Sequence, residues 1–322
     1  MATRTFLQAI RDAQFEEMRR DPSVFIMGED ARSDVFGTTS GLIAAFGDDR
    51  VRNTPIAEAG MTGVAAGAAM VGMRPIVDYT IAPFLYPAMD QIISIVAKSR
   101  YLYGGQASLP MVMRANMIYG AGSAAQHSDR PYSMFMHMPG LKIMVPSSAY
   151  DMKGLMKTAI RDDDPVMSFE DVALWSSKSE IPDEEYLIPF GRADIKRQGS
   201  DCTIVAIGAM VAHALGAAAE LANDDVSVEV VDPRTLCPLD TATILESVRK
   251  TGRLVVVDCA FSRCSAASEI AAIVAEQGFG DLRAPILRVA TADTHIPYSP
   301  RLEAQLYPSK DKVVAAVRQT LQ

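Results

Sequence analysis

The chain has 322 residues, with 31 Lys and Arg against 39 Asp and Glu, a formal charge of −8. That length suits about two domains, and a composition of 49% hydrophobic and 22% charged residues excludes a disordered tail. The acidic balance argues against a general nucleic-acid binder, which needs a basic face for phosphates.

The first residues, MATRTFLQAIRDAQFEEMRRDP, carry charges every few positions, so no signal-peptide core is expected there. Phe6, Leu7, Ile10, Ala13, Phe15 and Met18 predict a helix over 4–20. Val24-Phe25-Ile26-Met27 reads as a short buried strand ending at Gly28-Glu29-Asp30. Residues 59–72, AGMTGVAAGAAMVG, predict a small-residue helix, followed by a strand over 75–79. A helix over 86–102, strands over 110–114 and 142–146, a helix over 149–161 and a strand over 165–169 complete the first series. Such alternation predicts a mostly parallel sheet covered by helices.

Residues 171–200 hold Pro182, Pro189, several acids and Gly199-Ser200, and read as an irregular crossing. A second series follows, with strands over 203–207, 227–231 and 254–257 and helices over 209–222 and 240–250. The expected fold class is α/β, with two doubly wound, mostly parallel-sheet domains. Their expected bounds are 1–185 and 201–322, joined by a linker over 186–200. No stretch of about 20 apolar residues occurs, so no membrane span is expected. Cys202, Cys237, Cys259 and Cys264 form no C-x2-C pair and only four His accompany them. A structural zinc site is therefore disfavoured, and a cytoplasmic chain with reduced thiols is the expectation. No G-x-G-x-x-G and no phosphate-binding G-x-x-x-x-G-K-[ST] loop occurs; Gly208-Ala209-Met210-Val211 lacks the second glycine.

Two segments carry chemistry. In Arg52-Asn53-Thr54-Pro55-Ile56-Ala57-Glu58-Ala59-Gly60 a single acid sits at the start of a helix with no other charge. It reads either as a carboxylate favoured by the helix dipole or as a carboxyl in a dry site, poised to share a proton. The glycines at 60, 63 and 67 cost helix stability. They point to close approach by another subunit, a neighbouring helix or a flat ligand, or to tight internal packing. His127, in Gln126-His127-Ser128 after the loop Tyr119-Gly120-Ala121-Gly122-Ser123, reads as an exposed proton-exchanging group or as an ordinary surface residue.

The ordered set of motifs resembles a known family over nearly the whole chain. The motifs are Gly28-Glu29-Asp30, Thr54-Pro55-Ile56-Ala57-Glu58, Gly72-Met73-Arg74-Pro75-Ile76, Asp90-Gln91-Ile92, Gly104-Gly105-Gln106, Gln126-His127-Ser128, Pro139-Gly140-Leu141-Lys142, Ala159-Ile160-Arg161-Asp162, Val231-Asp232-Pro233-Arg234-Thr235-Leu236 and Pro238-Leu239-Asp240. They resemble the beta subunit of the thiamine-diphosphate-dependent first component of 2-oxo acid dehydrogenase complexes, of pyruvate, acetoin and branched-chain type. The resemblance implies a transketolase-like pyrimidine-binding domain followed by a smaller transketolase C-terminal-like domain.

By that resemblance Glu58 contacts N1′ of the cofactor's aminopyrimidine, and its proton favours the imino tautomer, a role that needs a dry apolar setting. His127 matches an active-site His that serves proton transfer or charge stabilisation during acyl transfer to a lipoyl group. Phe84 matches an aromatic packed on the pyrimidine, with Ile56 and Thr80 as neighbours. Backbone carbonyls near Met111, Ala159, Ile160, Asp162 and Asp164 match a potassium site. The G-D-G…N signature that holds magnesium and the diphosphate is absent, so the resemblance implies that an alpha subunit supplies it in an alpha2-beta2 assembly. Helix 59–72 is a candidate interface, and a dihydrolipoyl acyltransferase core is a further implied partner. Asp129 and Asp258-Cys259-Ala260 depart from common family patterns and leave the 2-oxo acid open. The alternatives are a split transketolase or carboligase-like enzyme with a carbonyl acceptor, and a non-catalytic scaffold.

Overall fold

A computed structural model describes residues 1–322 and resolves into two compact units. The first comprises residues 1–118 and 134–190, the second 119–133 and 191–322. Residues 119–133, expected within the first domain, thus group with the second. The expected linker is not all irregular: Asp194–Arg197 is a strand paired antiparallel with Val228–Asp232.

In the first unit, strands run in the spatial order Lys142–Met144, Val166–Asp171, Val112–Met117, Arg74–Ile81, Val24–Gly28 and Val51–Asn53. Each of these neighbouring pairs is parallel. Val24–Gly28, Val112–Met117 and Val166–Asp171 are buried at every position, as strands covered on both faces must be. The helix expected over 149–161 is Ala149–Arg161, capped by the Ser148 side chain, which accepts the Asp151 N–H. The helix expected over 4–20 begins later, at Phe6. Ala2–Thr5 is instead a strand paired antiparallel with Lys178–Ile181, and Thr5 closes a reciprocal cap with Gln8.

The helix expected over 86–102 is broken into a 3-10 segment Ala82–Ala88, a π segment Gln91–Val96 and an α turn Ser99–Leu102. Pro83 and Pro87 lack the N–H that a regular helix would use, and apolar periodicity alone does not register that loss.

The second unit orders its strands Leu287–Thr291, Leu254–Phe261, Cys202–Ala206, Val228–Asp232 and Asp194–Arg197. All neighbours but the last pair are parallel. Met210–Leu221 and Thr241–Thr251 provide the two expected helices.

A charged network lies inside the first sheet. Arg114, on its Val112–Met117 strand, is fully buried. Its guanidinium donates to both Glu170 oxygens at 2.9 and 2.6 Å and to Asp78 Oδ2 at 2.9 Å. Burial pushes the Glu170 carboxyl up, with Arg114 opposing. Breaking such a pair from one side leaves an uncompensated buried charge, at a cost of about 3–5 kcal/mol. An Arg114→Met variant is expected to lose that much stability in urea denaturation, and an unchanged midpoint would contradict it.

At the periphery, buried Glu17 accepts from Arg20 Nε at 2.7 Å and from Arg161 Nε and Nη2 at 2.9 and 2.7 Å, tying the helices Phe6–Arg20 and Ala149–Arg161. Burial alone would raise its carboxyl, but Arg161 and then Arg20 outweigh it and hold the group below its ordinary value. A carboxyl depressed in the folded state contributes stability above its unfolded pKa and loses it as pH falls through the folded one. Stability is therefore expected to drop on moving from neutral into acid, and Glu17→Gln is expected to flatten that drop in denaturation curves.

Candidate active site

Open parallel sheets bind ligands beyond the carboxyl ends of their strands. Three of the residues predicted in the first unit, Glu58, Thr80 and Phe84, come at or after the ends of strands of the sheet. Beyond Val51–Asn53, Thr54 N–H donates to Gly28 O at 3.0 Å. The chain then passes Ile56, which is 83% exposed, and Glu58 opens the helix Glu58–Met70. The helix dipole favours a carboxylate at that end. Thr62 holds this turn by donating to Glu58 O at 2.6 Å and sharing a 2.6 Å hydrogen bond with the Tyr79 hydroxyl. Glu58 is half-buried, while Pro55, Ile56, Ala57 and Gly60 around it are exposed. The dry setting expected for Glu58 is therefore not completed by this chain alone.

Directly after Val24–Gly28 stands Glu29. Its Oε1 is buried without a hydrogen-bond partner. Burial pushes this carboxyl up, and the charges of Glu58 and Asp30 push it the same way. Glu29 is thus a carboxyl pushed toward its neutral form beside Glu58. Glu29 was not singled out as a site residue from the sequence. The available signal was an acid immediately following a wholly apolar parallel strand. Gly28 cannot carry a side chain, because a Cβ there would overlap the Asp78 carbonyl.

Thr80 has a φ of +64°, a costly conformation for a β-branched residue. Hydrogen bonds on both sides hold it: its N–H donates to Asp78 Oδ1 at 2.9 Å and its carbonyl accepts from Asn116 Nδ2 at 2.6 Å. Asp78 also holds Arg114, so the buried network fixes the exit of this strand. The Ala82–Ala88 turn follows, presenting half-buried Phe84, and the helix Glu58–Met70 packs on it. The structure thus gathers Glu58, Thr80 and Phe84, with Glu29 added. Exposed Ile56 lies two residues ahead of Glu58.

His127 belongs to the second unit. It ends the short helical turn Ala124–His127 and is exposed, whereas Ser128 beside it is buried and its Oγ has no hydrogen-bond partner.

Of the five carbonyls expected around potassium, four accept hydrogen bonds within the chain. Arg74 Nη1 donates to Ile160 O at 3.1 Å and Asp162 O at 2.9 Å. Val166 N–H donates to Met111 O and Asp162 N–H to Ala159 O. Each carbonyl has a second lone pair.

Two family models match the chain: the transketolase pyrimidine binding domain over residues 2–174 and the transketolase C-terminal domain over residues 191–313. The beta subunit of acetoin:2,6-dichlorophenolindophenol oxidoreductase from Bacillus subtilis is 45% identical, covering 97% of this chain and 96% of that one. The beta subunit of 2-oxoisovalerate dehydrogenase from the same organism is 44% identical over 99% of both chains. This chain belongs to the family of 2-oxo acid dehydrogenase first-component beta subunits. The beta subunit of the pyruvate dehydrogenase E1 component from Rhizobium meliloti is a further family member, 44% identical over 99% of this chain and 70% of that one. Among solved structures, a split-gene transketolase described as an inactive beta4 tetramer superposes with a TM-score of 0.81 at 26% identity, covering 98% of each chain. The transketolase of Leishmania mexicana shares the fold at 17% identity and a TM-score of 0.73, covering 99% of this chain and 46% of that one.

Proposed function

We propose that the chain supplies the pyrimidine half of a thiamine diphosphate site in an enzyme that decarboxylates a 2-oxo acid and passes the acyl group to a lipoyl carrier. The pair of carboxyls at adjacent strand ends carries this reading. Glu58 stands at a helix start, and Glu29 beside it keeps a buried oxygen without a partner. A ring nitrogen that must be held protonated fits that pair. When bound, the cofactor supplies the electron sink that loss of CO2 requires.

The chain's own residues divide the remaining work. Glu58 would hold a proton at N1′ of the cofactor, with the raised Glu29 carboxyl beside it. Phe84 packs on the pyrimidine, with Thr80 and Ile56 as its neighbours. His127 moves a proton or steadies charge as the acyl group leaves for the lipoyl carrier.

An alpha subunit completes the site with the diphosphate and most of the magnesium ligation, in an alpha2-beta2 assembly. A Cβ added at Gly63 or Gly67 on the helix Glu58–Met70 would meet nothing within 4 Å, and Val64 and Val71 are exposed. A flat apolar helix face of this kind suits burial against another subunit. The dihydrolipoyl acyltransferase core is the further partner. No helix is long and apolar enough to cross a membrane, and we place the enzyme in the cytoplasm. Potassium at the carbonyls of Met111, Ala159, Ile160, Asp162 and Asp164 would tie the end of Ala149–Arg161 to its neighbouring turn. A melting temperature that rises in potassium chloride over equal sodium chloride is the expected sign; equal values would remove the ion from this account.

The deciding experiment mixes the chain with an alpha subunit, thiamine diphosphate and magnesium. Pyruvate, 2-oxoisovalerate and acetoin are offered in turn, with a dye or a lipoylated domain as acceptor. The chain alone is expected to be inactive and the mixture active with a 2-oxo acid. Glu58→Gln is expected to lower the rate by about 100-fold or more at saturating cofactor. A full rate in that variant would remove Glu58 from the mechanism, and acyl transfer only to a second carbonyl would favour a carboligase.

A further inference from the structure

The loop leading to His127 has a shape that one buried side chain determines. Gly120, Gly122 and Ala124 all have positive φ, at 69°, 67° and 57°. Alternating left-handed residues, one of them not glycine, do not persist in a free loop without a constraint. In the same unit Glu303, on the short helix Pro300–Leu306, is 0% exposed. Its Oε1 accepts the Gly120 N–H at 2.8 Å, and its Oε2 accepts the Gly122 N–H at 2.8 Å. Tyr307 donates its hydroxyl to Oε1 at 3.2 Å. One carboxylate thus takes two peptide donors two residues apart, through charge-assisted bonds stronger than neutral ones.

Aromatic and backbone contacts complete the grip. The Tyr119 and Tyr307 rings meet edge-on at 5.2 Å, and the Arg130 guanidinium lies 5.0 Å from the centre of Tyr119. A Cβ at Gly122 would come within 3.3 Å of the Tyr298 carbonyl, so the loop is seated closely against the chain entering Glu303's helix. On the far side of the turn, Tyr132 donates to Asp258 and Ser133 Oγ accepts the Ala266 N–H at 3.1 Å. Ala124–His127 is the short span suspended between these two anchors.

We propose that Glu303 is a positioning residue for His127, setting where the imidazole stands during acyl transfer by clamping the Gly120–Gly122 backbone. This rests on the reading of His127 as the proton-handling group. Glu303 touches no reacting atom. Loss of its clamp therefore slows the step His127 serves and leaves cofactor binding and decarboxylation untouched.

The test uses the complex reconstituted with alpha subunit, thiamine diphosphate and magnesium, and the 2-oxo acid that supports its activity. It compares wild type, Glu303→Gln, His127→Gln and the double variant. Acylation of a lipoylated domain and dye reduction, which bypasses that acceptor, are measured separately, with cofactor affinity by calorimetry. Glu303→Gln is expected to slow acylation by roughly 10- to 100-fold, as misplacement of a reacting group by about 1 Å does. Dye reduction and cofactor affinity are expected to stay within about two-fold, a split that a general folding defect does not produce. In the His127→Gln background the second change is expected to cost nothing more. Gly122→Ala, whose Cβ would press on the Tyr298 carbonyl and unseat the loop, is expected to reproduce the same split.

If His127→Gln acylates at the wild-type rate, the reading of His127 itself fails. If His127→Gln is slow but Glu303→Gln acylates normally, or if the two losses multiply in the double variant, the positioning role of Glu303 fails. Equal losses in acylation, dye reduction and cofactor affinity, or failure of Glu303→Gln to assemble while Gly122→Ala acts normally, overturn it as well.

Discussion

The first unit depends on a single guanidinium. Arg114 lies in the middle of the sheet, fully buried, where an unpaired charge would be out of reach of solvent. Its partners come from the two adjacent strands: Asp78 on one side and Glu170 on the other. Gln14 reaches the same cluster from the covering helix, with its Oε1 3.5 Å from Nη1. Any sliding of one strand against another would separate a buried charge from its counter-charge, a far larger penalty than the loss of one ladder hydrogen bond. Register in this sheet is consequently fixed by charge as well as by apolar packing. Because Asp78 also takes the Thr80 N–H, the same lock sets the direction in which the chain leaves the sheet toward Phe84.

Much of this could be read from the sequence, and the exceptions have physical causes. Apolar runs such as Val24–Gly28 and residues 254–257 identify themselves, since a strand covered on both faces needs no polar positions. Helix 149–161 was found to the residue because Ser148 caps it and its apolar stripe is regular. The segment 86–102 was not, because its apolar spacing is helical while its prolines remove the donors that a regular helix would use. Glu58 was recognisable as an isolated acid in an uncharged stretch. Glu29 was hidden by its lack of local context: what marks it is an unpartnered oxygen and the charge of Glu58, both products of tertiary structure. The attachment of residues 119–133 to the second unit was equally invisible. It arises from contacts such as that of Gly120 with Glu303, 183 residues apart.

The residues proposed for the site have two classes of support. Glu58, Glu29, Thr80 and Phe84 project from the ends of a rigid, charge-locked sheet, where a position error of an ångström is hard to produce. His127 stands on a loop, and loops owe their order to whatever ties them down. Within the second unit, the placement of the His127 loop depends on a few hydrogen bonds. Exposed Ile56 and the open glycine face of the neighbouring helix leave one side of the platform uncovered by this chain.

The separation between Gly120 and Glu303 also has a consequence in time. Chains emerge from the ribosome at about 5–20 residues per second, so the loop carrying His127 is made on the order of 10–40 s before the carboxylate that gives it shape. During that interval the first sheet can form, Arg114 can find its partners, and the loop has no fixed conformation. The shape of the Gly120–Gly122 loop therefore depends on a segment translated long after it, and a chain that stops short of residue 303 would carry every strand of the first unit without that clamp.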